Sequence, residues 1–148
     1  MKRTILISLL GLLLHAVQAQ ELKSPAEFLG YDLGDRFTRH HRIVEYFEYV
    51  AETRSNVKFQ QYGETNEHRP LVVAMISSEK NIDRLNEIRE NNLRRTGLLD
   101  GDPAEDDIAI VWLSYNVHGN EASSSEATMQ TLYELADPTN PNTQKWLE

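Results

Sequence analysis

Cysteine is absent from all 148 residues. No disulfide can staple the fold, and no thiolate can bind a metal or act as a nucleophile. Basic charge is also scarce: 15 Lys and Arg stand against 23 Asp and Glu, for a formal net charge of −8. An acidic chain without a basic stripe argues against nucleic-acid binding. Beyond the first twenty residues, no apolar run is long enough to cross a bilayer as a helix. There is no internal repeat and no low-complexity segment. The Gly-x-Ser-x-Gly elbow of many serine hydrolases is missing as well.

The N-terminus has its own composition. Lys2 and Arg3 precede an apolar stretch from Ile5 to Leu14, and Val17-Gln18-Ala19 stands before Gln20. Charge, short apolar core and small-residue cleavage site make residues 1–19 a secretory signal, so the mature chain is expected to be exported, periplasmic or extracellular. Its removal leaves about 129 residues, enough for one modest domain with a real core.

After a polar lead-in over residues 20–39, expected on the surface, periodicity predicts a helix from about His40 to Arg54. Ile43, Val44, Phe47, Val50 and Ala51 share its apolar face. Val57 to Tyr62 alternates like a strand with one partly wet face, Gly63 to Pro70 is a turn, and Leu71 to Ile76 is a continuous apolar run. Together these read as an antiparallel hairpin whose second strand is buried on both faces. Asn81 to Thr96 reads as a helix stopped by Gly97. Asp100 to Asp107 is an acidic connection that fails the calcium-loop pattern. Ile108 to Leu113 reads as a third, buried strand. A last helix from Ser123 to Ala136 has Met129, Leu132, Leu135 and Ala136 on its apolar face and ends at Asp137-Pro138. The fold class is α/β, a partial mixed β-sheet with helices on both faces.

The chemistry lies between the third strand and the last helix, in His118-Gly119-Asn120-Glu121. The ends of sheet strands are where α/β folds place ligands. An imidazole and a carboxylate three residues apart suit zinc, and Gly119 would let the chain turn so that both converge. Zinc held there would acidify a bound water for hydrolysis. Spacing alone is weak evidence, because His-x-x-Glu is expected about 0.5 times by chance in such a chain. The competing reading is a hydrogen-bonded histidine beside a glutamate that favours a helix N-terminus. Other candidates read more simply. Ser123 with Glu126 fits a capping box, so Ser123-Ser124-Ser125 is no nucleophile cluster. His40 and His41 point in different directions at a helix start, and His68 is a turn residue.

Asn116-Val117-His118-Gly119-Asn120-Glu121-Ala122-Ser123 resembles the first zinc motif of the zinc carboxypeptidases, the carboxypeptidase A-like metallopeptidases. Tyr62-Gly63-Glu64-Thr65-Asn66-Glu67-His68-Arg69-Pro70-Leu71 is similar to their hairpin turn, with His68 where a glycine is usual. The order helix, hairpin, helix, strand, zinc loop, helix is that of the family's N-terminal half, in particular of large exported bacterial members. The resemblance implies Zn2+ as cofactor, His118 and Glu121 as two of its ligands, and removal of C-terminal residues from peptide or protein substrates. It also implies a third histidine ligand and a general-base glutamate downstream of Glu148. Residues 40–148 are therefore expected to be the truncated N-terminal portion of a catalytic domain, inactive alone, with no catalytic base in this chain. The alternative is a non-catalytic peptide-binding domain that retains the fold. If the third strand's neighbours lie in the missing half, exposed apolar surface is expected around Ile108 to Leu113.

Overall fold

The computed structural model describes residues 21–106 and 108–147. The expected signal segment, residues 1–19, lies outside them. The elements run α1 (Pro25–Leu29), α2 (His40–Thr53), β1 (Val57–Glu64), β2 (Pro70–Ile76), α3 (Glu79–Asp83), α4 (Leu85–Arg95), α5 (Ser123–Ala136) and α6 (Pro141–Gln144). This is an α/β architecture of helices around a two-stranded antiparallel sheet.

The core forms where α2 meets α5. Ile43, Tyr46 and Val50 of α2 pack with Met129, Leu132 and Ala136 of α5, joined by Leu22 and Val57. The helical periodicity identified both faces, with two refinements. Tyr46 is fully buried, and Phe47 and Ala51 lie at the margin. A tyrosine is tolerated there because its hydroxyl donates to the Lys23 carbonyl at 3.0 Å, which satisfies the polar tip. Burial pushes its phenol well above the ordinary tyrosine range.

That bond belongs to a larger correction. The lead-in is not a surface tail. Ser24 caps α1 in a capping box with Glu27, and Gly30 closes the helix in the left-handed region at φ 78°. Leu22 and Pro25 are buried. Phe28 meets the rings of Tyr46 and Tyr49 at 5.1 and 5.2 Å. Local composition marks this stretch as polar, but its few apolar groups find an aromatic face on α2.

In the hairpin, Val57 pairs with Ile76 and Gln61 with Val72. The register then slips so that Gly63 meets Leu71 and Tyr62 is left over as a bulge. The turn is closed by Thr65 N–H to Arg69 O and His68 N–H to Thr65 O, both at 2.9 Å. His68 takes φ 58°, the left-handed conformation that glycine adopts at less cost. β2 is only half-buried along its whole length, not buried on both faces, because β1 is its sole ladder partner among the described residues.

Two further expectations change. The helix read over Asn81 to Thr96 is broken at Arg84 into α3 and α4. Buried Asn81 explains the break. Its Oδ1 accepts from the Arg84 guanidinium at 3.3 and 3.4 Å, and the same guanidinium reaches the Asp106 carboxylate. Arg84 thus holds the Asp106 carboxyl below the usual carboxylate range and pins the end of the acidic connection onto α4. The run Ile108 to Leu113 forms no ladder among the described residues. From Ile110 to Leu113 its large apolar side chains are exposed as expected, Val111 by 77% and Trp112 by 70%, while Ile108 is half-buried. β2 and this run are both apolar, yet neither covers the other. Downstream, the Leu147 carbonyl accepts from Ser78 N–H at 2.7 Å and Ser77 Oγ at 3.0 Å, tying the segment after α6 to the end of β2.

Candidate metal centre

His118 and Glu121 lie in the loop that leads into α5. A turn closed by Glu121 N–H to His118 O at 3.1 Å brings them together, and Ser124 N–H to Glu121 O at 3.2 Å carries the chain into the helix. Within this turn the His118 ring nitrogen Nδ1 lies 3.0 Å from Glu121 Oε1. A carboxylate only accepts, so Nδ1 donates here. Both side chains are open to solvent, 71% and 54% exposed.

Several details around the pair differ from what the sequence suggests. The pair does not sit at the end of a paired strand, since the preceding run has no ladder. Gly119 lies at the first central position of this turn, as expected, but it is not the residue in the left-handed region. The left-handed conformation falls on Asn116, at φ 57°, and a Cβ at Gly119 would meet nothing within 4 Å. Asparagine is one of the few side chains that visits this region readily. Ser123 does not cap α5: the N-cap is Ala122, and no side chain caps it. Glu126 turns instead to the lead-in, accepting from Gly34 N–H at 2.6 Å and Thr38 Oγ1 at 2.7 Å.

The remaining described histidines stand apart. His40 Nε2 lies 2.9 Å from the Pro70 carbonyl, joining α2 to the base of the hairpin. His41 is exposed. His68 faces Glu64 across the hairpin turn at 3.4 Å. No group of three His, Cys, Asp or Glu side chains is arranged to hold a metal among the described residues.

The family model for zinc carboxypeptidases matches residues 43–148, well over half of the chain. The chain belongs to the zinc carboxypeptidase family. No curated protein and no solved structure matches it. The matched span takes in most of α2, the hairpin, the His118–Glu121 turn and α5, so this carboxypeptidase-family chain carries its candidate ligands inside the recognised region.

Zinc is the metal the family implies, and the donor set can be tested against it. Ligands about 2.0–2.1 Å from a tetrahedral zinc stand about 3.3 Å from each other. Nδ1 and Oε1, at 3.0 Å, would have to lose the shared proton, turn their lone pairs to a common point and open by about 0.3 Å to admit the ion. Imidazole nitrogen and carboxylate oxygen are the donor types zinc takes. The residues present fit as two members of a ligand set.

Proposed function

We propose that His118 and Glu121 are two protein ligands of a catalytic zinc, and that the chain serves as part of a metallocarboxypeptidase that removes C-terminal residues from peptides. The observation that carries this reading is the 3.0 Å approach of Nδ1 and Oε1, inside a span that matches the family. When bound, zinc would polarise the scissile carbonyl and supply hydroxide from its water near neutral pH.

The two side chains have distinct tasks. His118 offers the Nδ1 lone pair, so the proton it now shares with Glu121 must leave that nitrogen before a metal can bind. Glu121 contributes the negative charge that offsets the cation. Catalytic zinc typically takes three protein ligands and a water. His118 and Glu121 supply two of these, and no group of three His, Cys, Asp or Glu side chains is arranged to hold a metal among the described residues. The 148-residue chain is therefore expected to bind zinc weakly and to release no C-terminal residues from blocked dipeptides. The leader motif of residues 1–19 supports export of the mature protein, and N-terminal sequencing of exported protein should begin at Gln20.

The test is His118→Ala. Zinc binding by the chain should be lost. In a longer polypeptide that supplies the third ligand, zinc content and dipeptide hydrolysis should be lost together. Stoichiometric zinc with normal turnover in that variant would refute the assignment. Tight zinc binding with zinc-dependent hydrolysis by the 148-residue chain itself would show that upstream histidines complete the site.

A further inference from the structure

The ligand turn is fastened to α5 by a feature the metal chemistry does not itself require. Tyr115 Oη donates to Thr131 Oγ1 at 2.9 Å. Thr131 Oγ1 donates in turn to the Ala127 carbonyl, also at 2.9 Å. Thr131 has a single hydroxyl proton, so the chain of bonds has one direction, from Tyr115 through Thr131 to the helix backbone. The next residue, Asn116, takes the left-handed conformation at φ 57°. Thr131 sits eight residues into the helix, about 12 Å along its axis. The ligand turn is thus held to one helix at two points, covalently at Ser123 and non-covalently at Thr131.

We propose that the Tyr115–Thr131 hydrogen bond and the left-handed turn at Asn116 position His118 and Glu121 for the metal. The inference rests on their assignment as zinc ligands. Without the clasp, the nearest anchors are Asp106, held by Arg84, and the start of α5. The described run between them, residues 108–122, has no ladder, so the ligands would ride on a connection of about fifteen residues. With the clasp, that connection shrinks to about seven. Closure entropy scales as three-halves of the logarithm of loop length, so the clasp is worth about three- to four-fold in the affinity of a site on that loop. Tyr115 and Thr131 touch neither metal nor substrate in this account. They are positioning residues.

The experiment is Zn2+ titration of the full 148-residue chain by calorimetry, well below the melting temperature, with circular dichroism to confirm an unchanged fold. Tyr115→Phe and Thr131→Val should each weaken Zn2+ binding about three- to four-fold. The double variant should be no weaker than either single one, because one bond is broken only once. Thr131→Ser keeps the hydroxyl and should restore the affinity. Asn116→Gly should bind at least as well as Asn116, whereas Asn116→Val, a poor left-handed residue, should bind worse. Wild-type affinity in both Tyr115→Phe and Thr131→Val, with binding abolished in His118→Ala, would overturn the positioning role and leave the ligand assignment standing. Zinc affinity that does not depend on His118 would overturn the assignment, and this inference with it.

Discussion

Replacing Glu126 separates two accounts of the start of α5. In the local account it completes a capping box with Ser123. In the structure Ser123 makes no capping bond, and Glu126 bridges to the Gly34 N–H and the Thr38 hydroxyl. The Gly34 N–H is exposed, and water can replace its partner. Thr38 is 1% exposed, so its hydroxyl would lose a charged acceptor in a buried place. A hydrogen bond to a charged group is worth about 1.5–3 kcal/mol. Tyr31, whose hydroxyl lies 2.9 Å from Thr38 Oγ1, can take over part of that role. Glu126→Ala is therefore expected to cost about 2 kcal/mol, or roughly 6 °C in melting temperature for a domain of this size. Ser123→Ala should stay within about 0.5 kcal/mol, whereas a genuine N-cap would cost about 1 kcal/mol. A double-mutant cycle of Thr38→Val with Glu126→Ala, read by urea denaturation, should give a coupling of about 1–2 kcal/mol. Zero coupling, with Ser123→Ala as damaging as Glu126→Ala, would refute the bridge and restore the capping box.

Burial favours the neutral phenol of Tyr46 in the folded chain, so its contribution to stability is present below the unfolded tyrosine pKa of about 10 and is lost as pH rises toward the folded value. Stability measured by urea should fall above about pH 10, and Tyr46→Phe should flatten that fall while costing about 1 kcal/mol at neutral pH through the loss of the Lys23 bond. His68 holds a left-handed conformation in the hairpin turn; His68→Gly should raise stability by up to about 1 kcal/mol, and His68→Val should lower it, in thermal melts. Trp112 and Trp146 are both exposed, so tryptophan emission should be that of a solvated indole and open to acrylamide quenching. Trp112→Lys should improve solubility without shifting the melting temperature, and a blue-shifted, quencher-protected Trp112 would contradict the exposed run.

The parts legible in the sequence are those whose signals are local. α2 and α5 follow from apolar residues three and four apart, and the Asp137-Pro138 stop marks where α5 ends. The Schellman-type end of α4 at Gly97, where Leu98 N–H reaches Leu93 O at 2.8 Å, was legible for the same reason. What escaped depends on distant partners. Tyr46 can be buried because a carbonyl 23 residues away accepts its proton. Arg84 breaks a helical pattern because Asn81 and Asp106 both claim its guanidinium. Glu126 carries a capping signature but spends its carboxylate on residues about ninety positions earlier. Ile108 to Leu113 has the composition of a buried strand, yet composition supplies no ladder partner. At the site, spacing identified His118 and Glu121 as a pair. The bend at Gly119 was legible, whereas the left-handed conformation of Asn116 had no comparable local signal.

The central claim, that His118 is a zinc ligand, can be read at the atom concerned. Long-range proton–nitrogen NMR of the histidine rings, recorded as Zn2+ is added to the 148-residue chain, distinguishes a protonated ring nitrogen from a metal-bound one. The account predicts that Nδ1 of His118 changes from donor to ligand, saturably and one-to-one, while the rings of His40, His41 and His68 keep their signals. An unchanged His118 with shifts confined to the other histidines would contradict it.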